Sequence, residues 1–385
     1  MTNPMMQTFT PAHSRTTRLL RVLLPGILAV LLSACAGFGT RQDPNEFLDA
    51  ADYDRLKQVS TQPGIRIFRY QVPDLLGSQT LMALLQALLS GLALGGIYAL
   101  VALGFSITHT TTKTLNFGQG EVLVAGAFAA VGSLLLLAGK PYTAVLEPSD
   151  VTIGRYLLAL TMTLAVVGLI GVLLYFTAIR PFFGSGGMSW VMSTIGFGII
   201  LQNTAMAIWG SSSIAMPSPL GDDVIRIAGA GVRPQEILVI VVTLTVMAGL
   251  DYVLRKTKIG KAVRAVATNQ QAAALMGINV AAIVVLAFVM SSGLAGLAGL
   301  LIAPITTASV FMGLNIALKA FSAAIVGGLS SPRGCIAGGI LLGCLEALIG
   351  LWRAEMREIT LFLLIILVLM IKPEGLFGRK TMEKV

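Results

Sequence analysis

Few side chains in this sequence could do covalent chemistry, and their spacing argues against it. The three cysteines, Cys35, Cys335 and Cys344, show none of the short intervals that hold a metal or form a redox pair. The two histidines, His13 and His109, lie too far apart to suggest a catalytic pair. A phosphate-binding loop needs G-x-x-x-x-G-K-[ST], yet Gly139-Lys140 is followed by Pro141 and Gly260-Lys261 by Ala262. The expectation is therefore a non-enzyme with no catalytic residue, metal or bound cofactor. If ATP drives it, the ATP and Mg belong to another subunit. What remains is polar groups set in apolar runs, and one basic loop, 255–279. Five of that loop's first ten residues, Arg255, Lys256, Lys258, Lys261 and Arg264, are cationic, and it contains no acid.

The elements that must position these groups are membrane helices. Of 385 residues, 55% are hydrophobic and 12% charged, against roughly 25% charged in a soluble domain. Mean hydropathy is +0.84. Apolar runs near the ~20 residues that cross a bilayer recur along the chain, and none alternates with the period of a barrel strand, so strands are not expected. The net charge of +9 is concentrated beside these runs, which suits positive-inside topology better than nucleic-acid binding. The predicted spans are 81–107, 121–137, 156–179, 190–209, 237–254 and 280–305, then a broken pair, 320–328 and 336–351, and a last span, 359–371. This is an all-α, polytopic protein of about eight spans with a broken or re-entrant pair. The break is the turn-forming string Leu329-Ser330-Ser331-Pro332-Arg333-Gly334.

Charge asymmetry orients the spans. Loop 255–279 and the basic C-terminal tail read as cytoplasmic, and the long loop 210–236 then falls outside. Counting back places the residues before the first span outside too. That agrees with the N-terminus: Arg15, Arg18 and Arg21 precede an apolar run ending in Leu32-Ser33-Ala34-Cys35. Residues 1–35 read as a secretory signal whose last four residues resemble a lipobox, with Cys35 as the lipidation point, or equally as an uncleaved signal anchor with an incidental cysteine. Residues 36–78 form a short extracytoplasmic extension, and 79–385 the transmembrane domain.

Several polar residues need weighing. An ionisable group at mid-membrane costs about 2.5–3.5 kcal/mol. Asn116, Gln119 and Glu121 at the start of the second span therefore read either as a pathway or gate element or as helix capping, with the position near the span's end favouring capping. Gln202 and Asn203 either tie helices together or line a route. Glu121 and Glu346 have no partner at any spacing the sequence reveals. Gly91 with Gly95, and Gly339 with Gly343, are pairs suited to close helix approach. Gly293, Gly296 and Gly299 mark a flexible or tightly packed span. Lys319 and Arg333 read as interfacial anchors flanking the first half of the broken pair.

Within the basic loop, Asn269 is a helix N-cap, 270–276 tolerate a helix, and Gly277 suits the left-handed position that ends one. The result would be a short, small-residue knob, or else an ordinary solvated loop. Gln271-Ala272-Ala273-Ala274-Leu275-Met276-Gly277 resembles the EAA-x-x-x-G coupling motif of ATP-binding-cassette (ABC) importer permeases, with Gln271 in place of the usual Glu. "GKAVRA" (260–265), "LMGIN" (275–279), "GGIYALVALGFSI" (95–107), "LNFGQGE" (115–121), "LKAFSAAIVGGLSSPRGCIAGGILLG" (318–343) and "PEGLFGR" (373–379) are similar to the branched-chain amino-acid permeases of that class.

The resemblance covers roughly 88–385. It implies an ABC importer permease fold, a bacterial inner-membrane location, two cytoplasmic ATPases that dock on 255–279, a second homologous permease and a periplasmic binding protein. It implies a coupling role for Gly260, Arg264, Gln271, Ala272, Ala273 and Gly277, and branched-chain or other hydrophobic amino acids as the solute. The alternatives are a urea or short-chain amide importer permease and, from another class, an ion-coupled secondary transporter. The last would need ionisable residues paired near mid-membrane.

Overall fold

The computed structural model describes residues 72–378 apart from 143, 183–188, 222, 228–229, 353 and 373. Two compact units divide the chain, Met1–Leu76 and Gly77–Val385. The signal segment, Cys35, residues 36–71 of the extension and the tail beyond 378 lie outside the described residues.

The helices are α1 (Val72–Thr112), α2 (Gln119–Ala138), α3 (Ile153–Leu174), α4 (Ser189–Trp209), α5 (Pro234–Lys256), α6 (Lys258–Thr268), α7 (Gln270–Leu275), α8 (Val280–Thr306), α9 (Met312–Gly327), α10 (Pro332–Trp352) and α11 (Met356–Ile371). Seven helices among the described residues are long and apolar enough to cross a membrane: α1 through Met82–Thr112, α2, α3 with its extension to Phe182, α4, α5, α8 and α10. The chain is thus a helical, multi-pass membrane protein, with α9 and α11 shorter at sixteen residues each. α8 packs along α2 and α3, and α9 along α10. α1 and α2 are mostly buried, whereas α4 and α5 present most of their surface outward.

Four expectations are corrected. The first span continues past Ile107 to Thr112, where the hydroxyls of Thr108, Thr110, Thr111 and Thr112 donate back to carbonyls three or four residues earlier, at 2.8–3.1 Å, so that these polar side chains are satisfied within the helix. α9 starts at Met312 rather than Ala320, since the charge of Lys319 is neutralised within the bundle. α10 is a full-length helix: Pro332 occupies its first turn, where a missing N–H costs nothing, and Ser331 Oγ accepts from Gly334 N at 3.2 Å. Only α9 of the broken pair is therefore short. Finally, two three-residue strands, β1 (Ile225–Ile227) and β2 (Ala230–Val232), pair antiparallel in the loop between α4 and α5. Lipid excludes open strand edges, and this ribbon lies between spans.

The glycine pairs meet each other. A Cβ on Gly95 would lie 2.8 Å from Ile340 Cα, and one on Gly91 2.9 Å from Gly343 O, while Gly343 sits against the backbone of Gly95. α1 and α10 thus cross through their small residues, as such spacing allows. In α8, Gly296 and Gly299 are closed in by Val167 and by the Leu123 carbonyl, whereas Gly293 faces open space. That span is tightly packed at two of its three glycines.

The C-terminal "PEGLFG" stretch has a structural job. Leu376 N and Phe377 N donate to Val326 O and Gly327 O at 2.8 and 3.2 Å, satisfying carbonyls that the end of α9 leaves without donors. Gly328 (φ 96°) and Gly375 (φ 82°) hold the positive-φ turns this requires; a Cβ on Gly375 would meet the backbone of Gly328, and one on Gly328 that of Gly378.

Candidate functional site

Between α5 and α8 the chain makes three turns, each set by a polar cap. Thr257 ends α5 and begins α6, its Oγ1 accepting from Gly260 N at 3.1 Å. Asn269 ends α6 and begins α7, its Oδ1 accepting from Ala272 N at 3.0 Å. Asn279 begins α8, its Oδ1 accepting from Ala282 N at 3.1 Å. A polar side chain at each N-cap stabilises a helix by about 1 kcal/mol, so the geometry of this connection is locally encoded. α7 closes as the sequence implied. Gly277 has φ 82°, with Gly277 N bonded to Ala274 O and Ile278 N to Ala273 O, the paired pattern that a left-handed C′ residue permits.

α6 and α7 form a rigid knob packed on α5 and α8. α6 roots it through buried Gly260, Val263 and Val266, and α7 through buried Ala273. The opposite surface is free: Arg264, Gln271, Ala272, Ala274 and Gly277 are exposed. At its tip two large apolar side chains, Leu275 and Met276, are 88% and 83% exposed. Arg264 folds back, Nη2 lying 3.4 Å from Arg255 O. Gly260 is required by space, because a Cβ there would run into the carbonyl oxygens of Val253 and Leu254. Gly260→Ala should therefore displace α6 from α5 and destabilise the chain by about 1–3 kcal/mol. Faster protease cleavage within 257–279 would register it; an unchanged cleavage rate would contradict the packing.

Three contacts bring distant segments to this end of the bundle. Gln270 Nε2 donates to Thr111 O in the last turn of α1 at 2.7 Å. Asp251 of α5 takes a two-pronged contact from Arg333 at the start of α10, at 3.1 and 3.0 Å, and another from Arg255 at 3.0 Å. The C-terminal segment caps α9 beside the α9–α10 turn. Arg333 is an anchor, but to a partner helix.

The polar residues within the spans fall into separate groups. Asn116 and Gln119 are buried: Asn116 Nδ2 donates to Gln119 Oε1 at 3.0 Å, and Gln119 Nε2 to Ser291 O at 3.0 Å, bridging α2 to α8. Asn116 Oδ1 also accepts from Gly118 N. Glu121 is half-buried, packed against Gly198 of α4, and makes no cap contact. Gln202 Nε2 donates to Val310 O at 3.0 Å, and exposed Asn203 bonds Ile199 O of its own helix at 2.8 Å. Asn116, Gln119 and Glu121 thus lie where the start of α2 meets α4 and α8, and Gln202 ties α4 to the segment before α9.

A polar cluster that sequence reasoning missed lies elsewhere. Glu346 of α10 accepts from Tyr98 OH of α1 at 2.8 Å and from Lys319 Nζ of α9 at 2.6 Å. The Lys319 and Glu346 side chains are 15% and 7% exposed. Glu346 is thus not unpartnered, and Lys319 is not an interfacial anchor. Intervals of 27 and 248 residues carry no helical or strand periodicity, so only the fold could reveal this. Nor did any motif mark Gln270 or Asp251.

The family described as "Branched-chain amino acid transport system / permease component" matches residues 87–371. The chain is 32% identical over 307 residues to the high-affinity branched-chain amino acid transport system permease protein BraD of Pseudomonas aeruginosa, covering 78% of this chain and 98% of that protein. It is 31% identical over 316 residues to the LivH permease of Escherichia coli K12, covering 80% and 100%. A probable LivH permease of Methanocaldococcus jannaschii is 27% identical over 73% of this chain and 89% of its own length. No solved structure matches the chain.

Proposed function

The chain belongs to the permease component family of branched-chain amino acid transport systems, and we propose that it moves leucine, isoleucine, valine or similar apolar amino acids inward across a bacterial inner membrane. Separate cytoplasmic ATPase subunits hydrolyse the ATP, and they dock on the α6–α7 knob. A second homologous permease completes the path, and a periplasmic binding protein delivers the solute. Segment 255–279, with its five cations, faces the cytoplasm, in keeping with positive-inside topology.

The observation that supports the docking role is the knob's construction. A helix pair capped at every joint and rooted in α5 and α8 presents two bulky apolar side chains with nothing over them. Exposed apolar residues on a rigid, small-residue platform suit a partner's pocket, where burying each contributes about 1.5–3 kcal/mol. Gln271 in place of an acid leaves that surface neutral, with its cations on α6.

Replacing Leu275 and Met276 together by Glu tests this. Both side chains already face outward, so membrane insertion should be normal. The ATPase subunits should no longer co-purify, and labelled-leucine uptake should fall to that of cells lacking the chain. Full uptake with retained ATPases would refute the docking role. The solute is tested separately by competition at sub-micromolar leucine: isoleucine should compete and urea should not.

A further inference from the structure

We propose that Gln270 is the positioning residue through which movement of the α6–α7 knob, itself packed on α5 and α8, is passed to α1. The inference rests on the docking role above and adds the route by which docking is felt. Thr111 lies in the last turn of α1, where helix carbonyls run out of intrahelical donors. Lys113 has already left the helix at φ 59°, its N–H bonded to His109 O at 2.9 Å. The Thr111 carbonyl needs a donor from elsewhere, and Gln270 Nε2 supplies it at 2.7 Å across 159 residues of sequence.

Both ends of this link are held. Gln270 is the first residue of α7, directly after the cap Asn269, so its backbone moves with the knob. α1 cannot shift alone, because its glycines lock into α10 and Tyr98 holds Glu346, which in turn holds Lys319 of α9. A displacement of α7 therefore reaches α1, then α10 and α9. The tie between α5 and α10 at this end, Asp251 with Arg333, is weaker: Arg333 is 61% exposed, and exposed ion pairs are screened and contribute little. The Gln270–Thr111 bond is partly buried and neutral, so salt leaves it intact.

The test uses the complete importer, with its partner permease, ATPases and binding protein, in proteoliposomes. ATP hydrolysis and labelled-leucine uptake are measured in the same vesicles for the wild type, Gln270→Glu and Gln270→Lys. Glutamate keeps the length but has no donor and repels the carbonyl. Lysine restores an N–H donor, and a cation suits a helix C-terminus. Gln270→Glu should retain the ATPases and their hydrolysis while uptake falls roughly tenfold, raising ATP consumed per leucine by the same factor. Gln270→Lys should return that ratio to within about twofold of wild type. An unchanged ratio in Gln270→Glu overturns the inference. So does loss of ATPase subunits from that variant alone, which would make the bond an anchor and not a transmitter, and so does equal impairment of both variants. A wild-type chain that holds no ATPases refutes the docking role, and this inference falls with it.

Discussion

Glu346→Leu is expected to destabilise the chain by about 3–5 kcal/mol, because it leaves the Lys319 ammonium without its counter-ion in a site only 15% open to solvent. Tyr98, whose hydroxyl also points at Glu346, loses its acceptor in the same change. The triple variant Glu346→Leu, Lys319→Met, Tyr98→Phe removes every polar member and should recover most of the loss. Apolar residues of similar volume replace a buried ion pair at little or no net cost. Thermal unfolding of the purified chain in detergent, run as a mutant cycle, separates the outcomes. A triple variant as unstable as Glu346→Leu would mean that shape, and not charge pairing, holds α1, α9 and α10 together here. Recovered stability combined with lost transport would assign the cluster to the transport cycle.

The second large effect concerns the crossing of α1 and α10. Gly343→Leu places a side chain against the backbone of Gly95 and the carbonyl of Gly91. Backbone cannot rotate out of the way as a flexible side chain can, so the two helices must part. Overpacking a core costs about 1–3 kcal/mol when side chains can yield, and here more is expected. The inserted chain should fail to elute as a single species by size exclusion and should be cleared quickly in cells. Gly293→Ala provides the contrast: nothing lies within 4 Å of a Cβ there, so helix propensity alone should make it neutral or slightly stabilising. If Gly343→Leu behaved like wild type, the proximity of α1 and α10 would be wrong.

The Lys319–Glu346 pair bears on what kind of transporter this is. An ion-coupled carrier would need paired ionisable groups within the membrane, and Lys319 pairs with Glu346 between two apolar helices. It is closed, however, with Glu346 also accepting from Tyr98, and family membership places the chain among permease components.

Much of this protein could be read from its sequence because lipid narrows the choices. Hydrocarbon admits backbone only as helices or closed barrels, so apolar run length alone located most of the spans. Local physics did the same for the knob. Asn269 and Gly277 mark their helix ends through bonds to residues within four positions, a range over which sequence and structure coincide. The small-residue spacing of Gly91/Gly95 and Gly339/Gly343 showed that two helices approach closely, but not that they approach each other.

Tertiary structure decided whatever depended on contacts between distant segments. Lys319 looked like a helix boundary because an isolated cation ends an apolar run; only with Glu346 beside it can α9 begin at Met312. Asn116 and Gln119 read as caps or as a gate element, and only the fold shows that Gln119 bonds Ser291, 172 residues away, while Asn116 bonds Gln119. Gln270 looked like any helix-tolerant residue until the end of α1 came within its reach. In each case a polar group's role is set by its partner, and only folding chooses partners across such intervals.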